Sequence, residues 1–81
     1  MENTFSVTVR EYQEDDLQEP VDEYTDLDGV SEEEARTRAE DLMHAVREEG
    51  ISGSLYRIDV HDVDEDGRYV YETLWARKIE G

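Results

Sequence analysis

Apolar and polar residues alternate along two stretches of this chain and recur at helical spacing along a third. From Thr4 to Tyr12, Phe5, Val7 and Val9 fall on one side and Ser6, Thr8 and Arg10 on the other. A period of two is that of a half-buried strand. Glu14-Asp15-Asp16-Leu17-Gln18-Glu19-Pro20 is a polar connection, and Pro20 lacks the N–H that a ladder running through it would need. Val21 to Leu27 predicts a second strand pairing back on the first, ended by Asp28-Gly29.

Ser31-Glu32-Glu33-Glu34 is a capping box, in which the Ser31 hydroxyl accepts from the amide of Glu34. Three carboxylates in the first turn also suit the positive end of the helix dipole. Ala35, Ala39, Leu42, Met43 and Val46 then share one helical face, and Gly50 stands where a left-handed C′ residue would end the helix. Glu32 with Arg36 and Glu34 with Arg38 are i,i+4 pairs in the favourable orientation. Ser54 to Val63 alternates again, with Tyr56, Ile58 and Val60 opposite Arg57, Asp59 and His61. Asp64-Glu65-Asp66-Gly67 reads as a hairpin turn, followed by a last strand from Arg68 to Lys78. The expected order is therefore ββαββ. This is an α+β fold in which one helix packs on one face of a four-stranded antiparallel sheet, as a single domain over residues 1–81.

The last strand is apolar on both sides: Val70, Leu74 and Ala76 alternate with Tyr69, Tyr71 and Trp75. One helix covers only one face, so the Tyr69/Tyr71/Trp75 set is expected to be partly exposed. It is either an aromatic interface anchor or a shield over a thin core.

Composition changes the picture in one respect. Apolar residues make up 36% of the 81 positions and charged residues 40%. A chain this short buries only about 60% of the surface its unfolded form exposes. The expected core is thin, and salt, a second copy or a partner would help to hold it. With no cysteine there is no disulfide, thiol nucleophile or Cys-based zinc site. Met1 to Val7 has neither a basic nor an apolar signal-peptide region, and no apolar run reaches the length of a membrane span, so the cytoplasm is the expected compartment.

Charge is the outlier. Twenty-four Asp and Glu face eight Lys and Arg, all but Lys78 being Arg, for a net charge of −16. Such a field repels nucleic acids and anionic membranes and attracts basic surfaces. Acid-rich, lysine-poor usage is also what a GC-rich or salt-loving host would write. The acids are unevenly spread. Between Glu11 and Ala35 there is no cation, while Glu11, Glu14, Asp15, Asp16, Glu19, Asp22, Glu23, Asp26, Asp28, Glu32, Glu33 and Glu34 are all acidic. Such a block is either a coat that keeps the protein hydrated or a display aimed at an Arg/Lys-lined site. Duplex DNA itself carries about one negative charge per 1.7 Å of axis.

The remaining chemistry is sparse. Asp62, Asp64 and Asp66, with Gly67, match the first half of a calcium loop, but the twelfth position is Thr73 and the segment lies between two strands. An acidic hairpin turn explains it more simply. His61 shares a strand face with Asp59, a metal pair without a third ligand, and His44 lies on the helix near Glu40 and Glu48. No nucleophile has a base beside it and no phosphate-binding loop is present. The expectation is a non-enzyme without cofactor.

Size, charge, the absence of Cys and a compact α+β layout together resemble the small acidic inhibitors of phages and other mobile elements, anti-CRISPR proteins and other DNA mimics. The resemblance rests on the block Glu11–Glu34 and the acidic hairpin Asp62–Asp66. It implies an inhibitor that occupies a basic nucleic-acid site of a defence effector. The candidate contacts are Glu14, Asp15, Asp16, Glu19, Asp22, Glu23, Asp26, Asp28, Glu32 and Glu33, with Tyr69, Tyr71 and Trp75 as apolar anchors. The competing expectation is a salt-adapted small structural domain, homodimeric through the uncovered sheet face.

Overall fold

A computed structural model describes residues 4–64 and 67–79, with side chains described for 4–62 and 72–79. Four strands and one helix follow in the expected order: β1 (Phe5–Gln13), β2 (Asp22–Val30), α1 (Glu32–Glu49), β3 (Ser54–Asp64) and β4 (Gly67–Ala76). The strands form one antiparallel sheet in the order β2-β1-β3-β4. The helix therefore carries the chain from the edge strand β2 over β1 and returns it beside β1 as β3. That central pairing runs without a break from Phe5↔Asp62 to Gln13↔Ser54.

Alternation decides which side chains meet the helix. Val7, Val9, Tyr56, Ile58 and Val60 point to it and are buried, together with Ala35 and Ala39 from α1. Two alanines at the contact let the helix sit close to the sheet. Leu42, Met43, Val46, Leu27, Val30 and Leu74 close the rim half-buried. The helix packs over β1, β3 and β4 and barely touches β2. Tyr24, in register with Val9 on the helix side, is consequently left 48% exposed.

Ser31 caps the helix as expected, its hydroxyl accepting from the Glu34 amide at 3.2 Å. Four local expectations need correction. β2 does not end at Asp28-Gly29 but runs on to Val30, which pairs with Phe5. Gly50 ends the helix with φ −65° and ψ 172°, an extended conformation open to any residue. Its requirement for glycine is steric, since a Cβ there would stand 2.5 Å from the Val46 carbonyl oxygen. The left-handed glycines are Gly29 (φ 71°) and Gly53 (φ 85°). Arg38 pairs with Asp26 of β2 at 2.7 Å instead of with Glu34, because an exposed guanidinium gains more from a two-pronged contact than from a neighbour one turn away. Finally, β4 is not a straight alternation. His61 pairs with Val70 while Val60 pairs with Glu72, so Tyr71 is an extra residue. Trp75 lies in the Arg57 row and Tyr69 in the Asp62 row, which are rows of opposite parity.

Candidate acidic interface

The acidic block is continuous in sequence and divided in space. β2 runs for nine residues, about 26 Å of strand, so Asp22 and Val30 stand at opposite ends of the sheet. Glu14, Asp15, Asp16 and Glu19 lie exposed in the β1–β2 connection at one end. Glu32, Glu33 and Glu34 open the helix at the other. Between them, Asp22, Glu23, Asp26 and Asp28 line the open edge formed by β2. Every residue from Gln13 to Thr25 is exposed, which makes the connection and the first half of β2 one continuous acidic tract.

Two register shifts fit extra residues into β2 between Thr25 and Val30. Asp26 turns toward the helix and holds Arg38, while Asp28 accepts the Ser6 hydroxyl. Other members of the block also have partners: Glu14 meets Arg77 at 3.2 Å, Glu23 meets Arg10 at 2.9 Å, and Glu32 meets Arg36 at 3.8 Å. Arg36 also reaches Glu72 on β4 at 3.1 Å. Arg10, Arg36, Arg38, Arg57 and Arg77 thus all bind carboxylates of the same molecule. Five of the eight cations are thus engaged within the fold, while most of the acid of the Gln13–Thr25 tract faces outward. The body measures 45 × 24 × 15 Å and the chain carries −16. This is about one charge per 3 Å of length, over half the axial density of about one per 1.7 Å in duplex DNA.

On the sheet face away from the helix the Tyr69/Tyr71/Trp75 set of the last strand was expected to be partly exposed, beside the polar outward positions of β1 and β3. The centre of this face is a buried polar network. Asp59, 1% exposed, accepts Arg10 Nη1 at 2.6 Å, Arg57 Nε at 3.0 Å and the Thr73 hydroxyl at 2.6 Å. His61 Nε2 lies 2.7 Å from the Thr8 hydroxyl, and its Nδ1 is buried without a partner. Asp59 and His61 do share this face, and Asp59 is engaged by the two arginines and Thr73. Toward one end Trp75 packs against buried Tyr12, with ring centroids 6.1 Å apart, and Arg57 lies 5.9 Å over the indole. Trp75 is 49% exposed. The side chains of Tyr69 and Tyr71 fall outside the described residues, as do those of Asp64 and Asp66. Asp62 lies half-buried with Oδ1 unpartnered. Among the described residues no three His, Asp or Glu side chains are grouped to hold a metal ion. No described helix is long and apolar enough to cross a membrane.

Electrostatics follow the pairing. Burial works against the Arg10 charge, but the hydrogen bond from Arg10 to Glu23 and the charges of Glu23 and Asp59 outweigh it and raise its pKa. Arg38 is raised by its hydrogen bond to Asp26 and by that carboxylate's charge. Burial lifts the Tyr24 hydroxyl above its ordinary value, with Asp26 adding to the effect. The Asp59 network was the part sequence reasoning missed. Its one visible trace is that Arg10, Arg57 and Asp59 all sit at outward positions of strands whose other side is apolar. Comparison with family models, curated proteins and solved structures finds no match at all.

Proposed function

We propose that this chain is a stoichiometric binding module whose acidic tract, Glu14 to Glu23 with the β2 edge, occupies an Arg/Lys-lined nucleic-acid site of another protein. In its specific form this is a DNA mimic that inhibits a defence effector in the cytoplasm, without catalysis or cofactor. The observation that carries it is the division of labour among charges. Arg10, Arg36, Arg38, Arg57 and Arg77 are spent internally on Asp26, Glu23, Glu14, Glu32, Glu72 and Asp59, while a run of exposed carboxylates lies along one edge and one end. Such a display associates fast with a basic groove and weakens steeply with salt. The test is capture on immobilised protein from nuclease-treated lysate, eluted with a salt gradient and, separately, with duplex DNA. Recovery of a nucleic-acid-binding protein that duplex DNA displaces supports the proposal. Recovery of salt-insensitive partners alone overturns it.

The division of the acidic block between opposite ends favours a second reading, salt adaptation, in which the coat has no target. Circular dichroism at falling salt separates the two. A fold lost well below about molar salt, as screening fails, indicates adaptation, and a cooperative fold at low salt indicates a functional surface.

A further inference from the structure

The sheet has two open edges, and they differ in kind. β2 presents Asp22, Glu23 and Asp28 and breaks register twice, so it repels a second copy of itself and offers it an irregular ladder. The outer half of β4 keeps unbroken register with β3 from Val60↔Glu72 to Tyr56↔Ala76. From Thr73 to its end at Ala76 it contains no acid, and Arg77, Lys78 and Ile79 follow the strand. In a chain of net charge −16, the segment Glu72–Lys78 is the exception, carrying one acid and two cations. Trp75 is 49% and Ile79 67% exposed beside it.

We propose that β4 is a self-association edge, on which a second copy of this chain adds its own β4 antiparallel to form one continuous sheet across a two-fold axis. The inference stands apart from the basic-partner proposal, since it uses the opposite edge and no carboxylate of the acidic tract. Geometry restricts the register. Directly opposite residues in an antiparallel ladder must point to the same face, so a two-fold pairing centres on one residue facing itself. Centred on Trp75, the pairing sets Leu74 against Ala76; β4 ends at Ala76, and extending it by two residues, short of the Ile79 amide held by the Arg47 carbonyl, sets Thr73 against Arg77 and Glu72 against Lys78. Opposite charges meet at both ends, two indoles meet in the middle, and apolar residues fill the helix side. Glu72 already receives Arg36 at 3.1 Å and would take Lys78 of the second copy as a further cation. Centring on Leu74 sets Glu72 against Ala76 and loses that pair of contacts. Self-pairing of two molecules of charge −16 is opposed by their mutual repulsion. Dimerisation must therefore strengthen as salt screens it, the reverse of the basic-partner interaction.

Sedimentation velocity of the full chain across a salt series, with Trp75 fluorescence recorded in parallel, tests this. Trp75 is the only tryptophan, so its emission reports the edge alone. The expected result is a monomer at low salt that becomes a dimer as salt rises, with a blue shift of Trp75. Glu72→Lys or Lys78→Glu alone places like charges opposite each other twice per dimer and should weaken it roughly tenfold. The double exchange E72K/K78E should restore it, a recovery that misfolding of either single variant cannot imitate. A chain that stays monomeric at all salt concentrations overturns the proposal, as does a dimer indifferent to the single exchanges. The basic-partner proposal is untouched by either outcome.

Discussion

Replacing Asp59 by Asn probes the buried network at its centre. The substitution keeps size and one acceptor for the Thr73 hydroxyl, and it removes the charge that faces Arg10 and Arg57 at 2.6 and 3.0 Å. Breaking a fully buried pair by removing one partner costs about 3–5 kcal/mol. Here the side chains of Arg10 and Arg57 keep 22% and 33% of their surface in water, and Arg10 retains Glu23. The loss should therefore fall below that range, at about 2–3 kcal/mol, near the worth of one or two charged hydrogen bonds. In a domain of this size about 1 kcal/mol moves Tm by about 4–8 °C, so the variant should melt about 10–20 °C below the parent. The assay is a thermal melt by circular dichroism at pH 7, with salt and protein concentration matched. Adding Arg10→Met to Asp59→Asn should cost less than the two single losses summed, because the interaction is already gone. A shift under about 3 °C for Asp59→Asn would refute the claim that this face is held by ionic pairing.

Three smaller predictions follow from the same contacts. Ser31→Ala removes the hydroxyl that accepts from Glu34 and should cost about 1 kcal/mol in a chemical denaturation series, whereas Ser31→Asp should hold stability. Gly50→Ala forces a Cβ to within 2.5 Å of the Val46 carbonyl oxygen, so the helix end must shift; protection of the last-turn amides from hydrogen exchange should fall. Because the Tyr24 hydroxyl is raised above 10.0, the folded state favours its protonated form. Its contribution is complete below pH 10 and is lost as pH rises through the higher folded value, so Tyr24→Phe should flatten the fall of stability in alkaline melts.

The elements were legible because each rests on a local pattern. Ser31 and Glu34 mark the helix start, and Phe5/Val7/Val9 and Tyr56/Ile58/Val60 mark buried strand faces with a period of two. The insertion of β3 between β1 and β4 joins residues some fifty positions apart, as Val7↔Val60 does, and no local pattern encodes such a pairing. The Tyr71 bulge is equally silent, since a single extra residue leaves the composition of the strand unchanged. The acidic tract was visible as a run, but its spatial division was not, because that depends on β2 spanning the whole sheet between the two clusters. The expected i,i+4 pairing of Arg38 lost to a tertiary partner, Asp26, which only the fold brings near. Trp75 was singled out for its exposure and is exposed; its support by Tyr12 and Arg57 required the tertiary structure.

A directed acidic surface differs from a general coat in that position matters more than total charge. Two variants of equal net charge separate them. Asp15→Asn/Asp16→Asn/Glu19→Gln neutralises three carboxylates of the tract in the β1–β2 connection, and Glu40→Gln/Glu48→Gln/Glu49→Gln neutralises exposed positions of α1. The decisive measurement is the affinity of both variants for the DNA-displaceable partner, at one fixed salt concentration. A directed surface predicts that the first variant loses binding by roughly tenfold or more while the second binds as the parent does, as expected when a few contacts carry an interface. Equal losses in both variants would contradict it.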